Sequence, residues 1–375
     1  MPSSKTSATI QTPPKTQPLD SAPATPAQPP SSERYSRQIL FAGIGPEGQK
    51  KLASAHVAVA GCGATGAAAA SLLARAGVGT LTLIDRDYVE ESNLQRQVLF
   101  DEADALAALP KAEAARRKIA LFNRSIQVRA RVADLVPGNI HELLRGADLV
   151  LDGTDNFETR YLLNDYAVEQ RKPWIYAAAL GAYAATMNIL PESAPAQTAY
   201  LATACLACIF PKPPAGAVET CDTAGILNAA VNLAASIQAS EALKFLVGAA
   251  DKMRRSLWAY DLWSNQRSEI STSAPRPGCA VCGQRDFLHL RGESRPHITL
   301  CGRNSVQIHE HARPMDFAAL EVRLAPHGTV RRNSMLLRFE RGDHTITLFA
   351  DGRALIQGTT DIALARSLYA RFIGT

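Results

Sequence analysis

At 375 residues, 46% hydrophobic and 20% charged, the chain is long enough for one large α/β unit and a smaller second one. No stretch reaches the roughly 20 unbroken apolar residues a membrane span needs, and the start of the chain has no signal-like apolar core. The net charge of +5 is modest, short of the dense basic patch that argues for nucleic acid, and a cytoplasmic location is expected.

Residues 1–32 are almost wholly Pro, Ser, Thr, Ala and Gln. Too few large apolar side chains are present to offset the entropy of ordering them, so this segment reads as a disordered tail. From His56 the sequence runs HVAVA, GCGATG, an Ala-rich stretch to Gly77, then TLTLID, which reads as strand, glycine turn, helix and strand. Further strands are expected at SIQVRA, ADLVLDG and PWIYAAA, separated by helices at PKAEAARRKIALFN and FETRYLLNDYAVEQ. The alternation predicts a Rossmann-like, mostly parallel sheet with helices on both faces.

After Tyr183 the pattern changes to YAATMNIL, a Pro-rich loop around Lys212, a long helix from about Thr223 to Val247, and the segments SLWAYDLWSN and QRSEI. These last read as antiparallel strands extending the sheet. Residues 297–375 read as a separate small α+β unit of strand, helix, three strands and a final helix, with ADGRA as a hairpin turn. Its last thirty or so residues resemble half of a TATA-binding-protein fold, a likeness that does not carry function. From Arg291 onward there are twelve arginines, eight acidic residues and no lysine, a bias that suits an acidic protein partner.

Gly61, Gly63 and Gly66 form G-x-G-x-x-G between strand and helix. Backbone amides and a helix N-terminus can face a phosphate there, and Asp85, at the end of the next strand, can accept from ribose hydroxyls. By itself this motif suits NAD equally well. Two further clusters narrow the choice. Cys205-Leu-Ala-Cys208 and Cys279-Ala-Val-Cys282 are thiolate pairs whose two-residue spacers suit tetrahedral zinc, and their loop-like, Pro-flanked settings argue against paired redox motifs. The second cluster is a set of ordered blocks: RYSRQI at Arg34 to Ile39, IDRDYVEESNLQRQ ending at Gln97, Pro110-Lys111, and DGTDN at Asp152 to Asn156.

Together these blocks, from about Glu33 to Gly283, resemble the ThiF/MoeB/HesA adenylyltransferases, relatives of the ubiquitin-activating enzymes. The resemblance implies an adenylation unit over residues 33–290 that uses ATP and magnesium to activate the C-terminal glycine of a ubiquitin-like sulfur-carrier protein. It assigns Asp85 to the ribose, Asn93, Arg96 and Lys111 to the phosphates, Asp155 to magnesium and the cysteine quartet to zinc. Arg37 would reach the ATP of the opposite subunit of a homodimer, and a sulfurtransferase is a further expected partner. Each residue also has a plainer reading: Arg96 and Lys111 as surface charges, Arg37 in an ion pair, and Asp152 or Asp155 as the cap of the following helix.

Cys221, in PKPPAGAVETCDTAG, falls where some family members carry a thiol that bonds the activated carrier; a buried core cysteine is the other reading. Cys62 is expected to be a small filler at the crowded turn. Cys301 in CGRNS superficially matches a sulfur-transfer loop, but lies in a unit too short for a domain of that kind. Six of the eight histidines fall between His289 and His344, and water-facing strand positions account for them without a metal. The sequence departs from the family in having alanines where relatives carry glycines between Tyr176 and Asn188. PKPP followed by TCDTAG leans towards the thiamin branch, while SNLQRQ is shared with the molybdopterin branch. An NAD-dependent oxidoreductase, a tRNA-acting relative and a non-catalytic scaffold are the competing readings. The first leaves RYSRQI, SNLQRQ and the cysteine quartet without a purpose, and the last leaves Arg37, Arg96, Lys111 and Asp155 without one.

Overall fold

The structure is a computed structural model that describes residues 33–192, 201–212, 221–292, 298–301, 305–308, 315–349 and 352–374. The expected tail at 1–32 and most of the Pro-rich loop after Lys212 lie outside the described residues. Among those described, no helix is long and apolar enough to cross a membrane.

Eight strands form the first sheet: β1 (His56–Ala60), β2 (Thr80–Asp85), β3 (Gln127–Val132), β4 (Leu149–Asp152), β5 (Trp174–Leu180), β6 (Tyr183–Ile189), β7 (Ser256–Asp261) and β8 (Gln266–Ser271). Their order is β3-β2-β1-β4-β5-β6-β7-β8. The first five are parallel, because helices such as Ala64–Ala76 and Phe157–Glu169 carry the chain back between strands. At Gly181 (φ +58°) a tight turn reverses the chain, and β5 to β8 are antiparallel.

The period of two assigns the core. In β1, Val57 and Val59 join Leu52, Leu73, Leu83 and Ile119 on one face, while Ala58 and Ala60 join Ile140, Leu144 and Trp174 on the other. The edge strands are polar: β8 is exposed at every position, which discourages pairing with another chain. Helix Asn228–Val247 lies over the middle of the sheet, where Ala230 and Ala234 meet Ala177 and Ala184. The alanine methyl groups of Ala177 and Ala184 thus fill a helix–sheet seam.

This helix begins later than the sequence reading placed it. Cys221–Ala224 is a separate single turn, cut off by Gly225 at φ +74° and by the pairing of Ile226 with Gly181. The C-terminal segment also differs from expectation. It forms a wholly antiparallel six-stranded sheet from β9 (Ile298–Cys301), β10 (Ser305–Ile308), β11 (Thr329–Arg332), β12 (Leu336–Arg341), β13 (His344–Phe349) and β14 (Ala354–Gln357), ordered β11-β12-β13-β14-β10-β9. A hairpin stands where one strand was expected, and four strands follow the helix Phe317–Leu324 instead of three. The missed break is at Asn333, whose side chain accepts the backbone N–H of Met335 and Leu336 and so turns the chain within an apparently continuous strand. ADGRA does join a hairpin, β13 to β14, although Ala350 and Asp351 lie outside the described residues. One face of this sheet packs Leu337, Phe339, Ile346 and Ile356 on Leu320, Tyr369 and Phe372 of its two helices.

Candidate functional site

The strand order reverses between β1 and β4, and the loops leaving these neighbours diverge to opposite faces, opening a crevice at the carboxyl end of the sheet. Gly61, Cys62 and Gly63 leave β1; Gly153 to Asn156 leave β4. The two loops touch through glycine. A Cβ on Gly66 would lie 1.8 Å from the carbonyl oxygen of Gly61, and one on Gly153 would lie 2.4 Å from the same atom. Gly61 itself has φ +89°. Gly63 precedes helix Ala64–Ala76 without a side-chain cap, the arrangement in which first-turn amides are left to serve an anion.

Asp85, ending β2, is buried; its carboxylate accepts the N–H of Cys62 at 2.6 Å and of Asp87 at 2.7 Å. Burial pushes this carboxyl up, with Asp87 adding to the effect and Lys111 and the two amides opposing it. Lys111, at the start of helix Lys111–Phe122, is only 3% exposed, and its Nζ lies 3.4 Å from Asp87 Oδ2. A surface lysine is thereby ruled out. Asn93 is fully buried and forms a reciprocal cap with Glu90, accepting its N–H at 3.3 Å. Arg96 donates from Nη1 to the Ser92 carbonyl at 2.8 Å. The loop after β2 therefore brings Asp85, Asn93 and Arg96 into one segment, with Lys111 beside it.

In the DGTDN loop the two aspartates separate. Asp152 is fully buried, accepts the backbone N–H and hydroxyl of Thr154, and pairs with Arg160 Nε at 3.0 Å. Asp155 is exposed at the mouth. Neither caps the following helix; Asn156 does, accepting the Thr159 N–H at 2.8 Å. Arg37 stands exposed on the short helix Ser36–Ile39, and no contact within the described residues brings it to the crevice. Cys62 is fully buried, with its thiol pushed well up by burial, which suits a filler. The side chains of Cys221 and Cys301 lie outside the described residues, as do those of His309 and His311.

The cysteine pairs, distant in sequence, converge. Cys205 Sγ lies 3.8 Å from Cys208 Sγ and 3.7 Å from Cys279 Sγ, and Cys208 Sγ is 3.4 Å from Cys282 Sγ. All four ligand atoms fall within 4.8 Å of one another. Zinc–sulfur bonds of about 2.3 Å give a tetrahedron with edges of about 3.8 Å, so the quartet fits zinc closely. The Arg276 N–H reaches Cys208 Sγ at 3.2 Å, a contact that supports a thiolate. No disulfide joins the described cysteines.

The sequence model of the ThiF family matches residues 35–281, from within the RYSRQ block to within the second cysteine pair. The chain belongs to the ThiF family. It is 44% identical to the sulfur carrier protein ThiS adenylyltransferase of Bacillus subtilis over 345 residues, covering 91% of this chain and 99% of that protein. It is 37% identical to the sulfur carrier protein adenylyltransferase of Thermus thermophilus over 67% of this chain and 90% of that one. Among solved structures, Escherichia coli MccB crystallised with ATP aligns with a TM-score of 0.57 at 25% identity, over 68% of this chain and 75% of that chain. The family match does not extend to the C-terminal sheet, whereas the 345-residue match must reach into it.

Sequence reasoning missed four residues that build the site: Asp87, Gly153, Arg160 and Gln238. Gln238, on helix Asn228–Val247, donates to the carbonyls of Asp152 and Ile175 and ties that helix to the end of β4. Gly153 carried a local signal, sitting directly after a strand in DGTDN. Gln238 carried none, since an isolated glutamine in an alanine-rich helix gives no hint of what it faces.

Proposed function

We propose that this enzyme adenylates the C-terminal glycine of a ubiquitin-like sulfur-carrier protein, in service of thiamin or molybdopterin synthesis. The observation that carries this reading is the near full-length match to a ThiS adenylyltransferase, joined to a crevice in which Asp85, Asn93, Arg96, Lys111 and Asp155 lie on adjoining loops. PKPP before TCDTAG favours a ThiS-like carrier.

The chemistry explains the residues. A terminal carboxylate is ionised at neutral pH, so no general base is needed; the protein must align it with the α-phosphorus and offset charge on the polyphosphate. A carboxylate oxygen bonds to the α-phosphorus, the bond to the bridging oxygen of the β-phosphate breaks, and pyrophosphate leaves with that electron pair. In this reading the Gly61–Gly66 turn and the helix N-terminus hold phosphate, Asp85 holds the ribose, and Arg96 and Lys111 neutralise developing charge. Magnesium, held through the exposed carboxylate of Asp155, would supply further charge neutralisation. Zinc in the cysteine quartet would have a structural part only, since four thiolates close its coordination.

Arg37 fits a role in trans. It is exposed beside Leu40 (74% exposed) and Phe41 (66%) on a surface suited to a two-fold partner. Light scattering on an Arg37→Ala variant tests this, with a dimer of reduced activity expected.

The deciding experiment is ATP–pyrophosphate exchange with purified ThiS-like and MoaD-like carriers. Exchange is expected only with a carrier ending in Gly-Gly, and Cys221→Ala is expected to leave it intact while lowering thiocarboxylate output. A failure of every carrier to promote exchange would overturn the reading.

A further inference from the structure

The loop that carries the nucleotide residues is half of a small bridge. Val89 N–H donates to the Leu109 carbonyl and Lys111 N–H to the Asp87 carbonyl, each at 2.8 Å, and Tyr88 pairs with Pro110. Segment 87–89 is thus bound to segment 109–111, which presents Lys111. In such an extended segment neighbouring side chains alternate. Asp87 turns to Lys111 and Val89 enters the main core, so Tyr88 projects the other way.

Tyr88 lands on the face of the C-terminal sheet opposite its helices. It is 3% exposed, packs with Leu336 and Phe349, and stands under the guanidinium of Arg338, 5.9 Å from the ring centre. Its hydroxyl donates to Gln357 Oε1 at 3.2 Å, and Gln357 Nε2 donates to Glu90 Oε1 at 3.3 Å. The other half of the bridge is gripped as well: Asn333 Nδ2 donates to the Ala107 carbonyl at 3.3 Å, and Ala108, held at φ +45°, packs into the same cluster. Burial pushes the Tyr88 phenol up to about 12, so it remains a neutral donor across the working range. Glu90 in turn caps Asn93.

We propose that the C-terminal sheet is a clamp on the nucleotide loop, with Tyr88 and Gln357 as positioning residues that set Lys111, Asp85 and Asn93 for ATP. This rests on the nucleotide reading of those three residues. It gives the C-terminal sheet, which lies outside the family match, a function within the same active site.

The test uses the full chain with Tyr88→Ala, Tyr88→Phe and Gln357→Ala, measuring KM for ATP and for the carrier in pyrophosphate exchange, and amide hydrogen exchange at residues 86–93 and 107–111. Tyr88→Ala is expected to raise the ATP KM about tenfold, since small misplacements of charged groups are costly, with the carrier KM unchanged and the amides of Val89 and Lys111 exchanging faster. Tyr88→Phe, which keeps the ring, is expected to fall between. A merely structural role would lower the active fraction, and so the apparent kcat, without moving the ATP KM; that outcome overturns the clamp. Gln357→Ala removes only two polar contacts, so it carries the test where Tyr88→Ala fails to fold. Lys111→Ala is run beside them: if it retains exchange, the nucleotide reading fails, and amide protection in the Tyr88 and Gln357 variants then decides the clamp alone.

Discussion

Asp152 ends β4 and Asp155 lies three positions on in the loop that follows, and replacing each with asparagine is expected to damage different properties. Asp152 is fully buried, and Arg160, 8% exposed at its side chain, loses the carboxylate it pairs with at 3.0 Å if that group is neutralised. Removing one member of a buried pair costs about 3–5 kcal/mol. Arg160 keeps the carbonyls of Thr154 and Ala177 at 2.7 and 3.1 Å, so the lower end, about 3 kcal/mol, applies. At about 2–3 °C per kcal/mol for a unit of this size, the melting temperature should fall by about 6–9 °C. Asp155 is exposed, so Asp155→Asn should alter stability by no more than about 0.5 kcal/mol. Its effect should appear in catalysis instead, as a loss of pyrophosphate exchange of about a hundredfold or more. Thermal unfolding by circular dichroism and exchange with the cognate carrier, run on both variants and wild type, separate the two. Wild-type melting of Asp152→Asn, or wild-type exchange by Asp155→Asn, would refute the reasoning.

Purified without chelators, the protein should contain one zinc per chain by elemental analysis, and Cys279→Ser should lower its melting temperature, because metal binding contributes directly to folding; metal-free protein with unchanged stability counts against the site. A pH effect should come from Asp165, whose carboxyl is pushed up to about 7, chiefly by burial and against the opposing N–H groups of His289 and Leu290. Because the folded state binds this proton more tightly than the unfolded chain, whose value is about 3.9, the group's stabilising contribution is fully present below that value and is lost as pH rises to about 7. Asp165→Asn cannot ionise, so the variant should gain stability relative to wild type between pH 4 and pH 8 in urea titrations; a difference that stays flat with pH contradicts the assignment.

The sequence by itself determined what depends on short-range pattern. The alternation of HVAVA and TLTLID with helical segments, the punctuation at Gly61, Gly63 and Gly66, and the spacing within each cysteine pair are all local, and each survived as read. Helix starts and strand counts were less legible, because Gly225 and Asn333 break elements through backbone turns that leave the hydrophobic period nearly unchanged. What only the tertiary structure decided is who meets whom across the chain. It joined cysteine pairs 74 residues apart and set Tyr88 against Gln357 across 269 residues. It also buried Asp152 with Arg160 while leaving Asp155 in the open, although both aspartates have the same chemistry and nearly the same neighbours in sequence. Periodicity and turn residues are written in neighbouring positions, whereas burial and ion pairing are imposed by segments that reach a residue only after the sheets have assembled.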